Sequence, residues 1–218
     1  MNTKLVRFLP LAGVAFAVLS IAGNGSIGDF PDSDTPIAKL APYYAAHHAG
    51  IARGGLLLHW AAFFFAFFAV AVWARVRRNA SPLVTGAILV GAAVDFADQL
   101  SSAGVYSTLG FIGGKSVIAP AALQAWHVNG SGGGLTTGEG GLAVMLLALA
   151  AAGIAGRALP RSLSWTALPL GILQLTPVGF FAELLFLLWA AAAGIYMTVR
   201  PDGVSVQAPA VAPVAVAT

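Results

Sequence analysis

Residues 47–78 constrain the fold of this chain more than any other stretch. The stretch opens with paired histidines, crosses a run rich in Leu, Trp and Phe, and closes on three arginines within four residues. A helix needs about 20 consecutive apolar residues to cross a bilayer. The stretch therefore predicts one membrane-spanning helix that is titratable at one end and permanently positive at the other.

The composition of the whole chain agrees with a membrane protein. The 218 residues are 58% hydrophobic and only 9% charged, and the mean hydropathy is +0.85. A soluble protein of this size needs a larger charged surface. The net charge of +3 does not indicate nucleic-acid binding, because the basic residues flank apolar runs. The absence of cysteine excludes disulfides, thiol chemistry and cysteine-ligated metals.

Six apolar segments predict an all-α fold, a polytopic bundle of six transmembrane helices. Pro169 in the fifth segment predicts a kink or tilt. The first segment also fits a cleaved signal peptide ending at Ala22, and that alternative stays open. Residues 1–200 form one transmembrane domain, and the low-complexity segment 201–218 is expected to be a disordered cytoplasmic tail. The predicted spans are 8–22, 51–76, 82–102, 138–156, 163–176 and 178–199.

Two connections carry features of their own. Residues 24–46 are polar and are expected to form a loop that ends in a short surface helix through Tyr43 and Tyr44. The Gly-rich connection 103–137 is expected to contain a short interfacial helix at 120–128, anchored in the headgroups by Trp126.

The distribution of basic residues predicts the orientation of the bundle. Cytoplasmic loops carry an excess of Lys and Arg, so both termini are expected in the cytoplasm of a multi-pass plasma-membrane protein. The residues assigned to the inner side are Lys4, Arg7, Arg75, Arg77, Arg78, Arg157, Arg161 and Arg200. Those assigned to the outer side are Lys39, Arg53 and Lys115.

Several motifs recur together in a known arrangement. An Asp-rich outer loop precedes YYAAHHAGI at 43–51, RALPRSLSW follows at 157–165, and the last helix ends at Arg200. In these features, over about residues 5–200, the chain resembles a family of uncharacterised six-helix bacterial integral membrane proteins, a domain of unknown function. The resemblance implies the fold and a plasma-membrane location, and it implies no catalytic residues.

A layer of polar residues lies near the outer ends of the predicted spans. At about 1.5 Å per helical residue, these groups lie roughly 20–27 Å above the inner ends of their helices. Asp95, Asp98 and Gln99 share one helix face, and His59 on the neighbouring helix is expected to face Asp98. The polar-layer candidates are His59, Asp95, Asp98 and Glu183, with Glu139 and Asn24 at a similar depth.

Two functions from different classes fit this layer. The leading interpretation is a non-enzymatic accessory, sensor or scaffold protein. It contacts a membrane-protein partner or a second copy through small residues in the bilayer. The alternative is a metal- or proton-dependent membrane enzyme or small transporter, in which His48, His59, Asp95 and Asp98 hold a divalent metal. The carboxylates are also explained if they simply reach water at helix ends. The small residues are Gly86, Gly91, Ala92 and Gly171.

The GFIGGKS segment at 110–116 is not a phosphate-binding loop. That motif needs four residues between its glycines, and this segment has three. No catalytic residues are predicted.

We expect reporter fusions to read the predicted topology directly. A reporter fused after Arg200 should be cytoplasmic, and one inserted near Gly132 should be external, because the arginines hold the inner side. An external C-terminus, or a mature protein beginning near Gly23, would contradict the prediction.

Overall fold

The computed structural model describes residues 7–113, 115, 118–131, 137–156 and 159–200. Throughout these residues the regular secondary structure is helical, with no strand, which confirms the predicted all-α fold. A short 3-10 turn, Leu9–Leu11, leads into the first helix. The α-helices are α1 Ala12–Ile27, α2 Ile37–Val76, α3 Pro82–Ile112, α4 Pro120–Ser131, α5 Thr137–Gly156, α6 Arg161–Leu173 and α7 Gly179–Val199.

Five helical segments are long and apolar enough to cross a membrane, which supports a multi-pass membrane protein. The helix α6 is shorter than these five. The predicted disordered tail, 201–218, lies outside the described residues. The five segments are Leu9–Ile27, Ile37–Val76, Pro82–Ile112, Gly138–Ala155 and Phe181–Val199.

Six helices close a ring. The helix α1 packs against α2 and α7, α3 packs against α2 and α5, and α6 packs against α5 and α7. The helices α3 and α7 therefore lie on opposite sides of the ring. The helix α4 is outside it and packs against α2 and α3.

Aromatic side chains hold α1, α2 and α7 together. Phe16 of α1 lies 5.3 Å from Phe65 and 5.9 Å from Phe186, measured between ring centroids. Trp189 adds α6 to this core, because its Nε1 donates a hydrogen bond of 3.0 Å to the Leu163 carbonyl. The helix α1, whose sequence also fits a signal peptide, therefore packs into the bundle in this structure.

Glycines let the helices approach closely. A Cβ at Gly141 of α5 would lie 2.7 Å from the Gly91 carbonyl oxygen and 2.8 Å from the Asp95 nitrogen of α3. Gly171 of α6 likewise packs against Leu147 of α5. Two of the small residues expected to receive a partner are thus used inside the chain.

The helices α2 and α3 extend far beyond their predicted ends. The predicted loop over 24–46 is shorter than expected, because α1 continues to Ile27 and α2 begins at Ile37; the short helix expected through Tyr43 and Tyr44 is the first part of α2. Its 40 residues span about 60 Å, roughly twice the thickness of the hydrocarbon layer. The helix α3 continues to Ile112, past the predicted end at 102.

Packing between the two extensions explains this difference. Leu40, Tyr44 and Ile51 of α2 form a second apolar core with Val105 and Leu109 of α3. Burial of these side chains stabilises helix in a segment whose polar composition resembles a loop. We call this part of the molecule, residues 28–53 together with the described residues of 103–131, the outer cap.

The helix α4 runs along the outer cap. It is slightly longer than the predicted segment 120–128. Near its C-terminal end, the Gly130 carbonyl accepts a hydrogen bond of 3.0 Å from the Tyr106 hydroxyl. Near its N-terminal end, Leu123 is buried in the same core as Tyr44. The helix therefore lies lengthwise against the extensions of α2 and α3.

A buried histidine, His127, connects the parts of the outer cap. His127 of α4 is 0% exposed, its Nδ1 lies 2.8 Å from the Tyr44 hydroxyl, and its Nε2 lies 2.9 Å from the Asp32 carbonyl. A carbonyl only accepts, so Nε2 donates to it and Nδ1 accepts from Tyr44. The Phe30 ring stacks on the imidazole at 5.4 Å. These contacts join the 28–36 loop, α2 and α4.

We expect Tyr44→Phe to loosen the outer cap. It leaves a buried imidazole nitrogen without its donor, which costs roughly 1–3 kcal/mol. Hydrogen exchange of the α4 amides should therefore accelerate. Tyr43→Phe is the matched control, because its hydroxyl makes an exposed bond to the Asp29 carbonyl. Equal exchange in the two variants would contradict the assigned role of the His127 contact.

We expect Gly141→Ala to lower the thermal stability of the bundle. The new methyl group meets backbone atoms of α3, and such overpacking costs roughly 1–3 kcal/mol. Gly140→Ala is the control one residue away, because a Cβ there meets nothing within 4 Å. If both variants melt at the wild-type temperature, the close approach of α3 and α5 is not as described.

Candidate functional site

Asp95 of α3 carries a buried carboxyl group. Its side chain is 5% exposed and accepts a hydrogen bond of 2.7 Å from Gln99 Nε2. The charges that act on it most strongly are those of Glu183 and Asp98, both of the same sign. The structure therefore brings together three of the residues predicted from the polar layer.

Two neighbouring acids, Asp98 and Glu139, each lie close to the first turn of another helix. A Cβ at Gly138, in the first turn of α5, would lie 2.6 Å from Asp98 Oδ2. A Cβ at Gly179, the first residue of α7, would lie 2.9 Å from Glu139 Oε1. A helix N-terminus carries a partial positive charge that stabilises a nearby carboxylate. Asp98 and Glu139 thus have structural partners in the helix termini, and the glycines leave them the necessary space.

Glu183 completes the group from the opposite side of the ring. Its charge interacts with those of Glu139 and Asp98. Its side chain is exposed, whereas that of Asp95 is 5% exposed, so Glu183 marks the accessible edge of the group. We call the four carboxylates of Asp95, Asp98, Glu139 and Glu183 the acidic recess.

Tyr106 lies at the rim of this recess. It is close enough to Glu183 for their charges to interact, and its hydroxyl bonds to the outer cap at Gly130. The recess therefore opens towards the cap end of the bundle.

Apolar side chains close the other end of the recess. On each helix that contributes an acid, the side chains one to two turns away, on the side opposite the cap, include buried apolar residues. This layer packs between the recess and the end of the bundle that carries Arg75 and Arg200. It consists of Ile88 and Ala92 of α3, Leu142 and Met145 of α5, and Phe186 and Ala190 of α7.

Gln174 lies beside the recess and was missed by the sequence analysis. It is 0% exposed, and neither its Oε1 nor its Nε2 has a hydrogen-bond partner in the described part of the chain. It shares a helix face with Ser164 and Gly171, which pack against α5. Its backbone oxygen would lie 3.3 Å from a Cβ at Gly179, the position that Glu139 also approaches. The backbone of Gln174 therefore lies close to the start of α7 and to Glu139.

The histidines do not join the acids. His59 Nδ1 lies 2.9 Å from the Gly55 carbonyl and 3.4 Å from Ser107 Oγ. This corrects the expectation that His59 faces Asp98. The register of α2 against α3 is the reason, because Phe63 of α2 contacts Phe96 at the level of the acids.

The predicted metal-ligand set is not assembled in this structure. His48 is exposed on the outer cap, where its Nδ1 lies 3.0 Å from the Ala45 carbonyl. Along α2 it is about 16 Å from His59. Among the residues that the structure describes, no group of three or more His, Asp or Glu side chains could hold a metal ion.

Comparison with protein-family models, curated proteins and solved structures finds no match to this chain. The resemblance to a six-helix bacterial family therefore stays a prediction.

Proposed function

We propose that this protein is a non-enzymatic membrane sensor or accessory protein. It takes up protons or cations at the acidic recess and acts on a membrane partner through helix contacts. The observation that carries the proposal is that four carboxylates from three helices interact within the ring, next to a layer of buried apolar side chains. A charged acid inside a bilayer costs roughly 3 kcal/mol or more, so such groups are usually functional.

Charge repulsion explains why the ligand is a proton or a cation. Carboxylates at close range in a low-dielectric interior repel each other strongly, and a proton or cation between them relieves the repulsion. Asp95 and Glu183 belong to helices on opposite sides of the ring. Binding of a proton or cation in the recess therefore weakens the repulsion between α3 and α7. The ligand then favours the arrangement of these helices that binds it more tightly, as a two-state response requires.

The recess faces outwards in the membrane orientation that we propose. We count α6 as a sixth crossing although it is shorter than the other five, because Ser164 near its start lies beside Gly153 of α5 and Gln174 just after its end lies beside the start of α7. At the inner end, Arg75 Nη1 donates a hydrogen bond of 2.7 Å to the Arg200 carbonyl. Both termini then lie in the cytoplasm of a plasma-membrane protein.

The outer surface of the bilayer lies near Arg53 in this orientation. Exposed apolar side chains begin one turn below it, at Leu56 and Trp60. The outer cap then stands above the membrane. The helix α4 follows the cap upwards, and its Trp126, 40% exposed, faces away from the cap core.

The partner contacts lie on the outside of the ring. A Cβ at Gly86 of α3 would meet nothing within 4 Å. The side chains of Leu83 and Val90, about one turn away on either side, are exposed. Small residues on a lipid-facing surface allow close helix packing. This supports a membrane-protein partner or a second copy of the chain on that face.

A proton-dependent transporter or enzyme that uses the same recess is the second candidate. The wetted carboxylates favour it, but the apolar layer below the recess does not provide an inner exit. Transport would require a second arrangement of α3, α5 and α7.

The experiment is cross-linking of the intact protein in cells, followed by purification at acidic and at neutral external pH. Wild-type protein should recover one stoichiometric partner, or a second copy, in a pH-dependent yield. Asp95→Asn should insert normally and lose this pH dependence. Asp34→Asn, in an exposed part of the loop, should keep it.

Two results would contradict the proposal. A pH-dependent yield that survives Asp95→Asn would show that the recess is only structural. Proton flux through reconstituted vesicles, abolished by Asp95→Asn, would establish the transporter instead.

A further inference from the structure

We propose that the cavity between α3 and α5, at the end of the bundle that carries Arg75 and Arg200, binds one anionic phospholipid. The site is separate from the acidic recess, because it lies at the opposite end of the same two helices.

The cavity lies where the connection between α2 and α3 meets the last turns of α5. Its volume is about 270 Å³. Asn79 and Ser81 line it on the side of the connection, and Val84, Ala151 and Ala155 line it on the side of the helices. One side of the cavity is therefore polar and the other is formed by small apolar side chains.

The position of the cavity along the helices places it at a membrane surface. The helices α2, α3 and α5 are each long and apolar enough to cross a bilayer, and the cavity adjoins the start of α3 and the end of α5. Exposed apolar side chains next to it, Leu83 and Ile154, fit this placement. Lipid is therefore the molecule that covers the cavity, with its headgroup beside the connection and its acyl chains beside the helices.

Arginines at the end of α2 give this surface a positive charge. The Arg75 guanidinium lies 5.7 Å from the centroid of the Tyr196 ring. The Arg77 guanidinium lies 4.7 Å from the centroid of the Trp73 ring. Arg78 is exposed and has no hydrogen bond, ion pair or ring contact with any residue that the structure describes. All acids in the described part of the chain belong to the acidic recess or to the 28–36 loop, so an anion matches the charge of this end.

Three groups close together in the sequence can hold a phosphate. Arg78 offers paired N–H donors that match the geometry of phosphate oxygens. The Asn79 amide and the Ser81 hydroxyl follow it within the same connection. Ser81 Oγ accepts from the Val84 nitrogen at 3.4 Å, which leaves the hydroxyl hydrogen to donate to a ligand. Basic pockets between transmembrane helices bind anionic headgroups through such groups.

The apolar side of the cavity favours a lipid over a free phosphate. Its volume lies just below the range of about 300–1,000 Å³ for pockets that enclose a whole small molecule. It therefore takes part of one acyl chain, while the rest of the lipid stays in the bilayer. The chain gains dispersion contacts with Val84 and Ala155, which a water-soluble phosphate does not make.

The test is native mass spectrometry of the full-length protein in detergent. The protein is titrated with phosphatidylglycerol, with phosphatidylcholine of the same acyl chains, and with glycerol 3-phosphate. One phosphatidylglycerol should bind saturably and at least roughly tenfold more tightly than phosphatidylcholine, whose choline cancels the charge of the phosphate.

A charge variant locates the headgroup. Arg78→Gln should weaken phosphatidylglycerol binding by roughly tenfold, because a charge-assisted hydrogen bond to the phosphate is lost. Arg200→Gln is the matched control. It removes the same charge at the end of α7, on the opposite side of the ring from α3, and should leave the affinity unchanged.

A second variant tests the apolar side of the cavity. Ala155→Leu extends an exposed side chain that lines the cavity, so it should take the place of the acyl chain. Phosphatidylglycerol binding should weaken while the melting temperature of the protein is unchanged. Ala192→Leu, at an exposed position on α7, is the control and should bind the lipid like the wild type.

Equal affinity for phosphatidylglycerol and phosphatidylcholine would overturn the inference. So would equal losses in Arg78→Gln and Arg200→Gln, which would show a general attraction of anions to this end of the bundle. Binding of glycerol 3-phosphate as tight as that of the lipid, or full lipid affinity in Ala155→Leu, would show that no acyl chain enters the cavity and would overturn it too.

Discussion

The placement of four carboxylates inside an apolar helix ring is the constraint on which the proposed function depends. Glycines at 138 and 179 leave room for Asp98 and Glu139 against the starts of α5 and α7, where the helix dipoles stabilise them. Asp95 and Glu183 have no such terminus, and the Gln99 amide is the described hydrogen-bond donor to Asp95. These two acids therefore form the part of the recess whose stability depends most on a proton or cation.

The outer cap and the recess are joined through one residue. Tyr106 packs edge-on against Phe30 at 5.3 Å and bonds to Gly130 of α4, and it also lies close to Glu183. The cap in turn is fastened by His127, whose two ring nitrogens contact α2 and the 28–36 loop. Tyr106 thus links the neighbourhood of Glu183 to the outer cap.

Local sequence patterns predicted most of the helices, because amphipathic and apolar segments follow from hydropathy and helical periodicity. They did not predict the extension of α2 through Pro42, since that depends on packing against α3. The same packing sets the register that moves His59 away from Asp98. Gln174 was overlooked, although an amide in an apolar helix is a detectable signal.

Accessibility of position 183 from outside the cell tests the central claim most directly. The chain has no cysteine, so Glu183→Cys introduces a single reactive thiol. A charged, membrane-impermeant maleimide added outside should label it. Ala190→Cys, two turns deeper on the same helix and fully buried, should stay unlabelled. Labelling of position 183 only from the cytoplasmic side, or equal labelling of both positions, would contradict an outward recess above a closed apolar layer.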